Sequence, residues 1–319
     1  MDGNTAKQAR IAVVGAGAVG CYYGGKLAAA GHDVHFLMRA DLDAVKKQGL
    51  TLRSTEAPEI HLERVQAYGD PAEIGPVDFV IIALKTTSNS ALEKLIPPLL
   101  HEGTTLITLQ NGLGNEAFLA ERFGARRVMG ALCFVCLNRV ASGVIEHYGH
   151  GTISIGEFTG PPQERTRQFA QWLRDAGIVA NVVENLMNER WRKLVWNIPF
   201  NGLSIAAGAI TTDIILADEG LKQLARGLML ETIAVAGADG YEIPESYADF
   251  QMERTPPMGA YKPSSLIDYV EGRPVEVESI LGEPYHRAQA RGVNADRLEA
   301  VYSLVKRLVA ARLEQASRE

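Results

Sequence analysis

Ala9-Arg10-Ile11-Ala12-Val13-Val14-Gly15-Ala16-Gly17-Ala18-Val19-Gly20 is the stretch that decides the fold. A short β-rich run leads straight into G-x-G-x-x-G. A helix-forming segment follows to Ala30, Gly31 is placed to close it as a C-cap, and a second strand is expected over Asp33 to Leu37. The glycine pattern alone is weak, and a glycine-rich turn without a ligand is the alternative. With strand, loop, helix and second strand all of the required lengths, it becomes a dinucleotide signature. Gly15 permits the tight turn, Gly17 lets the backbone approach a pyrophosphate, and Gly20 allows close helix–strand packing. The pyrophosphate would rest on the helix N-terminus, at Ala18, Val19 and Gly20.

The end of the second strand sets cofactor choice. An acid there would accept from the ribose 2′-OH of NAD. The chain has Arg39, suited to bidentate pairing with a 2′-phosphate, so NADP(H) is the expected cofactor. Asp41, two residues on, pulls the other way. Leu50 to Leu62 alternates like a hairpin insertion. Val77 to Leu84 and Thr104 to Leu109 are continuous apolar runs, as in strands buried on both faces. They end in Lys85-Thr86-Thr87 and Gln110-Asn111-Gly112, and ligands of open α/β sheets sit beyond such carboxyl ends, which marks Lys85 and Asn111. His147 and His150 flank Tyr148-Gly149 in what reads as a turn before a strand at Thr152 to Ile155. Cys133 and Cys136 form a lone CxxC, with no second pair or histidine cluster to complete a zinc site, so no metal is expected. A helix through Arg174 and a strand over Ile178 to Val183 complete this half.

From Glu184 on the pattern is helical only. Glu189 to Gly208 is apolar nearly all round a helix of about 100° per residue, as a buried helix is. One strip stays polar: Lys193, Asn197, Asn201 and Ser204, spaced to share a face. It is either a solvated face or the wall of a polar cleft with Lys193 ready to give up a proton. Pro199 removes the bond to the Val195 carbonyl and is expected to bend the axis there. A long amphipathic helix over Asp218 to Gly237, a loop at Pro256-Pro257-Met258, a short helix with Ser264 as N-cap and Gly272 as stop, and helices over Val275 to Arg291 and Ala295 to Glu314 follow. The fold expected is α/β: a Rossmann-type doubly wound sheet over residues 1–184, then an all-α domain over 185–319, with a cleft between them.

The 319 residues carry a formal net charge of −6 without runs of one sign, which argues against nucleic-acid or membrane-surface partners. The polar N-terminus has no signal-like apolar segment, no run spans a membrane, and three cysteines make no disulfide framework. A cytoplasmic protein is expected, with apolar helical surface available for a homodimer.

In a nicotinamide reductase the cofactor carries the redox chemistry, and the protein supplies orientation and a proton donor for the nascent alkoxide. A lysine on a cleft-lining helix suits that role, since partial burial draws an amine's pKa towards working pH and its charge stabilises an oxyanion.

The chain resembles the ketopantoate reductase family (2-dehydropantoate 2-reductases). The resemblance rests on the Gly15–Gly20 loop, the Lys85 turn, Asn111-Gly112-Leu113-Gly114, Lys193-x3-Asn197-x3-Asn201, and Pro263-Ser264 followed by Gly272-Arg273-Pro274-Val275-Glu276. It runs from about residue 10 to about residue 290. It implies that Lys193 is the general acid and that Glu276 orients substrate or lysine. It implies that Ser264 and Asn197, helped by Asn201, bind the substrate's carboxylate or hydroxyl. Asn111 would sit near the nicotinamide, and Lys85 near the cofactor or the substrate anion. The leading reading is NADPH-dependent reduction of a 2-keto acid, namely ketopantoate in pantothenate synthesis. The alternatives are a reductase of the same architecture acting on another 2-keto or hydroxy acid, and a non-catalytic NADP(H)-binding sensor.

Overall fold

A computed structural model describes residues 9–316, so the polar run before residue 9 lies outside the described residues. The chain divides into two compact units. The first runs to Gln110 and resumes at Asn115–Leu186. The second begins at Met187 and also takes in Asn111–Gly114.

The first unit is built on ten strands: β1 (Arg10–Val14), β2 (Asp33–Leu37), β3 (Leu50–Ser54), β4 (Ile60–Leu62), β5 (Gln66–Tyr68), β6 (Phe79–Ile82), β7 (Thr105–Thr108), β8 (Val128–Ala141), β9 (Val144–Glu157) and β10 (Ala180–Val182). They form one sheet in the order β4-β3-β9-β8-β7-β6-β1-β2-β5, with β10 also paired to β9. From β5 to β8 every pairing is parallel. Side chains alternate across a strand, and β1 shows what that does here. Ile11 and Val13 join a core with Phe36, Phe79, Ile107 and the helical residues Leu27 and Phe169. Ala12 and Val14 join a separate core with Leu37, Val80, Ile82, Leu92 and Leu119. Both faces are therefore covered, as a doubly wound sheet requires.

The outer strands make the sheet mixed. β9 runs antiparallel to β8, β3 antiparallel to β4, and β3 parallel to β9. The hairpin expected over Leu50 to Leu62 is the β3–β4 pair. The turn expected at His147 to His150 is absent, because β9 passes through it. Its pairing with β8 slips between Phe134 and Val135 and again between Cys136 and Leu137. Gly149 and Gly151 lie at φ 152° and 115° and His150 at 66°, the backbone of bulges within a continuing strand.

The second unit is helical: Leu186–Ala206, Thr212–Ala217, Glu219–Ala238, Ser246–Arg254, Ser264–Val270, Glu283–Arg291 and Asp296–Ala316. Helix Leu186–Ala206 continues through Pro199. The helix expected from Val275 is instead a π-turn, Glu278–Gly282, that precedes Glu283–Arg291. Among the described residues no helix is long and apolar enough to cross a membrane.

The last helix is capped from a distance. The Glu231 carboxylate accepts the backbone N–H groups of Arg297 and Leu298 at 3.2 and 2.9 Å, and the Arg297 guanidinium at 2.9 Å. Removing an acceptor of this kind exposes two helix-terminal donors. Glu231→Ala is expected to lower unfolding free energy by about 1–3 kcal/mol. Urea unfolding checks it, with Glu231→Gln retaining part of the loss; an unchanged midpoint in Glu231→Ala would contradict the capping role.

Candidate active site

β1 and β2 end level, with Val14 paired to Leu37, so the loops that follow leave the sheet together. Gly15 sits at φ 96°, and a Cβ there would fall 2.4 Å from the Leu84 nitrogen. A Cβ on Gly20 would fall 2.3 Å from the Gly15 oxygen, whereas one on Gly17 would meet nothing within 4 Å. The first and third glycines are thus demanded by packing and the second stands at an open approach. Gly17 is the N-cap of helix Ala18–Ala29 and supplies no side chain to its first N–H groups. An unblocked helix N-terminus beside an open glycine fits a pyrophosphate.

Arg39 is exposed just beyond β2. Asp41, the residue that left cofactor choice open, is buried and accepts a 2.8 Å bond from Arg139 Nη1. Cys21, in the first turn of helix Ala18–Ala29, donates to the Ala16 carbonyl at 3.3 Å. Burial, then the nearby Asp41 charge, pushes its thiol up to about 12, with Arg139 opposing, so it stays a protonated thiol. Cys21, Cys133 and Cys136 are in no disulfide. Among the described residues no group of three His, Cys, Asp or Glu is arranged to hold a metal.

Lys85 is half-buried and precedes the short 3-10 turn Thr86–Ala91. Behind it runs a polar network that the motif reading overlooked. Gln110 Nε2 donates to the Leu84 carbonyl at 2.8 Å and to Asn89 Oδ1 at 2.7 Å. Thr108 Oγ1 donates to Gln110 Oε1 at 3.0 Å, and Asn89 Nδ2 to Asn115 Oδ1 at 3.1 Å. Four polar residues that close on one another fix the loops after β6 and β7. The signal available was Gln110 itself, a polar residue ending an apolar strand.

The remaining residues singled out by the sequence all lie in the second unit, Asn111 included. Lys193 Nζ donates to Asn111 Oδ1 at 2.7 Å. Gly112 has φ 82° and lies so close to Ser279 that a Cβ would come 2.2 Å from the Ser279 oxygen. That oxygen accepts the Leu113 N–H at 2.8 Å. Its availability has a local cause. In the π-turn Glu283 N–H bonds to the Glu278 carbonyl, so the next donor along would be Pro284, which has no N–H. The segment Asn111–Leu113 is thereby tied at one end to Lys193 and at the other to the turn that follows Glu276. Glu276 is half-buried, and its carbonyl accepts from Ile280 N at 3.3 Å and from Ser279 Oγ at 3.4 Å.

Along the polar strip, Asn197, Asn201 and Ser204 are 9%, 3% and 0% exposed, so it is no solvated face. Asn201 Oδ1 accepts the Ser265 N–H at 3.0 Å, and its Nδ2 donates to the Asn197 carbonyl at 3.0 Å. Asn201 therefore joins two helices through its own amide. This bond also corrects the expected cap. Pro263 occupies the N-cap and Ser264 is the first helical residue, because the acceptor for the orphan N–H of Ser265 comes from Asn201. Ser264 is left exposed at that helix start. A lysine amine held by a carboxamide, one turn from a buried amide on the same helix, is equipped to donate a proton and to bind an anionic oxygen-rich ligand.

Comparison with known proteins agrees with this architecture. Residues 11–160 match the family described as ketopantoate reductase PanE/ApbA, and residues 185–309 match its C-terminal domain. A 2-dehydropantoate 2-reductase of Nostoc sp. is 41% identical, covering 93% of this chain and 94% of its own. One from Mesorhizobium japonicum is 32% identical, covering 95% and 98%. The crystal structure of 2-dehydropantoate 2-reductase from Geobacter metallireducens superposes with a TM-score of 0.90 at 44% identity, covering 93% of this chain and 99% of that one. With both halves matched in order, and a Gly15–Gly20 loop and helical lysine unit to match, the chain belongs to the ketopantoate reductase family of oxidoreductases acting on CH–OH groups.

Proposed function

We propose that the protein reduces a 2-keto acid with NADPH, and that the acid is ketopantoate, converted to pantoate for pantothenate synthesis. The names carried by the Nostoc and Mesorhizobium relatives support the substrate. The observation that carries the chemistry is the 2.7 Å bond between Lys193 Nζ and Asn111 Oδ1.

NADPH, when bound, supplies the hydride. The Gly15–Gly20 loop and the N–H groups of Ala18, Val19 and Gly20 would hold its pyrophosphate, and Arg39 its 2′-phosphate. Asn111 Oδ1 accepts one of the three ammonium protons of Lys193 and so directs the others. Lys193 stabilises the charge that grows on the keto oxygen and gives that oxygen a proton, yielding the alcohol and a neutral amine that regains its proton from solvent. Ser264 and Asn197 donate to the substrate carboxylate, and Glu276 orients substrate or lysine. Asn201, with its amide engaged by Ser265 and Asn197, acts by positioning both. Asp41 is withdrawn from competition for a ribose hydroxyl by Arg139, which favours NADPH over NADH.

NADPH oxidation by the purified protein against a panel of 2-keto acids tests the reading. Turnover of ketopantoate above the others is expected. Preference for another acid would replace the substrate, and tight NADPH binding without any turnover would favour a sensor. Lys193→Ala should lower kcat by about 10²- to 10⁴-fold while the Kd for NADPH stays within about two-fold; undiminished turnover would remove Lys193 from the reaction. Arg39→Ala should weaken NADPH by about ten-fold or more and leave NADH little changed, as loss of a charge-assisted phosphate contact does. Equal losses for the two dinucleotides, read by fluorescence titration, would refute the 2′-phosphate role.

A further inference from the structure

A third segment reaches the end of β2, and it comes from far along the chain. β8 pairs with β7 only over Val128–Gly130, then extends to Ala141 against β9. The tip of this β8–β9 hairpin is fastened where the chain continues from Arg39. Gly143 O accepts the Thr51 N–H at 2.8 Å, Ser142 O accepts Gln48 Nε2 at 3.4 Å, and β3 pairs with Val144–His147. Arg139, close to that tip, delivers its guanidinium to Asp41 at 2.8 Å.

The two partners are unequal. The Asp41 side chain is 9% exposed and that of Arg139 is 46% exposed. The carboxylate is covered, and the guanidinium presents the rest of a rigid five-donor fork outward. Its place is the one that matters for cofactor choice, since in this fold the ribose next to the adenine lies at the end of the second strand. Arg39 stands two residues before Asp41 in the same loop. Arg139 offsets the charge of Asp41, where an unpaired aspartate would repel a phosphate. The thiol of Cys21, one turn into the helix that follows the glycine loop, is pushed up by burial and by Asp41 and drawn down less strongly by Arg139.

We infer that Arg139 is a second binding residue for the 2′-phosphate of the dinucleotide, brought to the site by the β8–β9 hairpin and held there by Asp41. The same ion pair takes Asp41 out of use as an acceptor for the 2′-hydroxyl of NADH. One residue thus adds a contact for one cofactor and removes a contact for the other.

This inference rests on the NADP(H) reading, and the test separates the two. Dissociation constants for NADPH and NADH are measured by fluorescence titration on the wild-type protein, Arg139→Gln and Arg139→Lys. In the wild type NADPH is expected to bind more tightly than NADH. If it does not, the NADP(H) reading fails and the inference falls with it. Given that preference, Arg139→Gln should weaken NADPH by about ten-fold and NADH by less than about three-fold. Arg139→Lys, which keeps the charge without the fork, should lose NADPH affinity selectively but by less. A preserved ratio in both variants, or equal losses for both dinucleotides, would reduce Arg139 to a support for the fold and overturn the inference. Should Arg139→Gln not fold, the Arg139→Lys ratio decides alone, with a selective NADPH loss in favour and an unchanged ratio against.

Discussion

The bond from Lys193 to Asn111 joins residues 82 positions apart in the chain, and the chemistry proposed for this protein depends on it. A lysine on a helix is flexible, with several rotatable bonds between backbone and charge. One short bond to a carboxamide oxygen converts that mobile charge into a fixed donor. Preorganised charge is worth more to a reaction than charge that must be gathered. The partner is itself fixed, because Gly112 and Leu113 are pressed against Ser279 with no room for a side chain at residue 112. A proline at 284, a π-turn carbonyl and a glycine at positive φ are therefore parts of one device for holding Asn111.

The sheet unit obeys a different logic. Its parallel core is decided by alternation along β1, which feeds two separate cores and so demands cover on both faces. Its outer strands form the extended β8–β9 hairpin, whose register shifts three times, the last at Arg139, the residue it carries to Asp41 beyond the end of β2. Without that ion pair Asp41 would stand as a buried carboxylate with no guanidinium to offset its charge.

How much of this could be read from the sequence follows the range of the interactions. β1, the glycine loop, the helix to Ala29 and β2 were legible because each signal is local and its period is that of the element. The polar strip was legible for the same reason, since spacings of three and four place Lys193, Asn197 and Asn201 on one face. His147 to His150 misled because glycine at positive φ signals a turn and serves equally in a bulge, and only the partner strand distinguishes them. Ser264 looked like a cap, yet the cap acceptor is Asn201, 64 residues from Ser265. Arg139 gave no signal, because nothing near it announces Asp41, 98 residues away. Of the Gln110–Asn89–Asn115 network only Gln110, a polar residue ending an apolar strand, left a mark in the sequence, since Asn89 and Asn115 look like ordinary loop polar groups.

In the proposed chemistry Asn111 controls the proton on Lys193. The most direct test of that control is the pH profile of kcat for keto-acid reduction in the wild type and in Asn111→Asp. A general acid must be protonated, so kcat falls as pH rises through its pKa. A carboxylate in place of the carboxamide stabilises the ammonium and raises that pKa. The alkaline limb of the profile is expected to move to higher pH in Asn111→Asp. An alkaline limb at the same pH in both proteins would contradict that control.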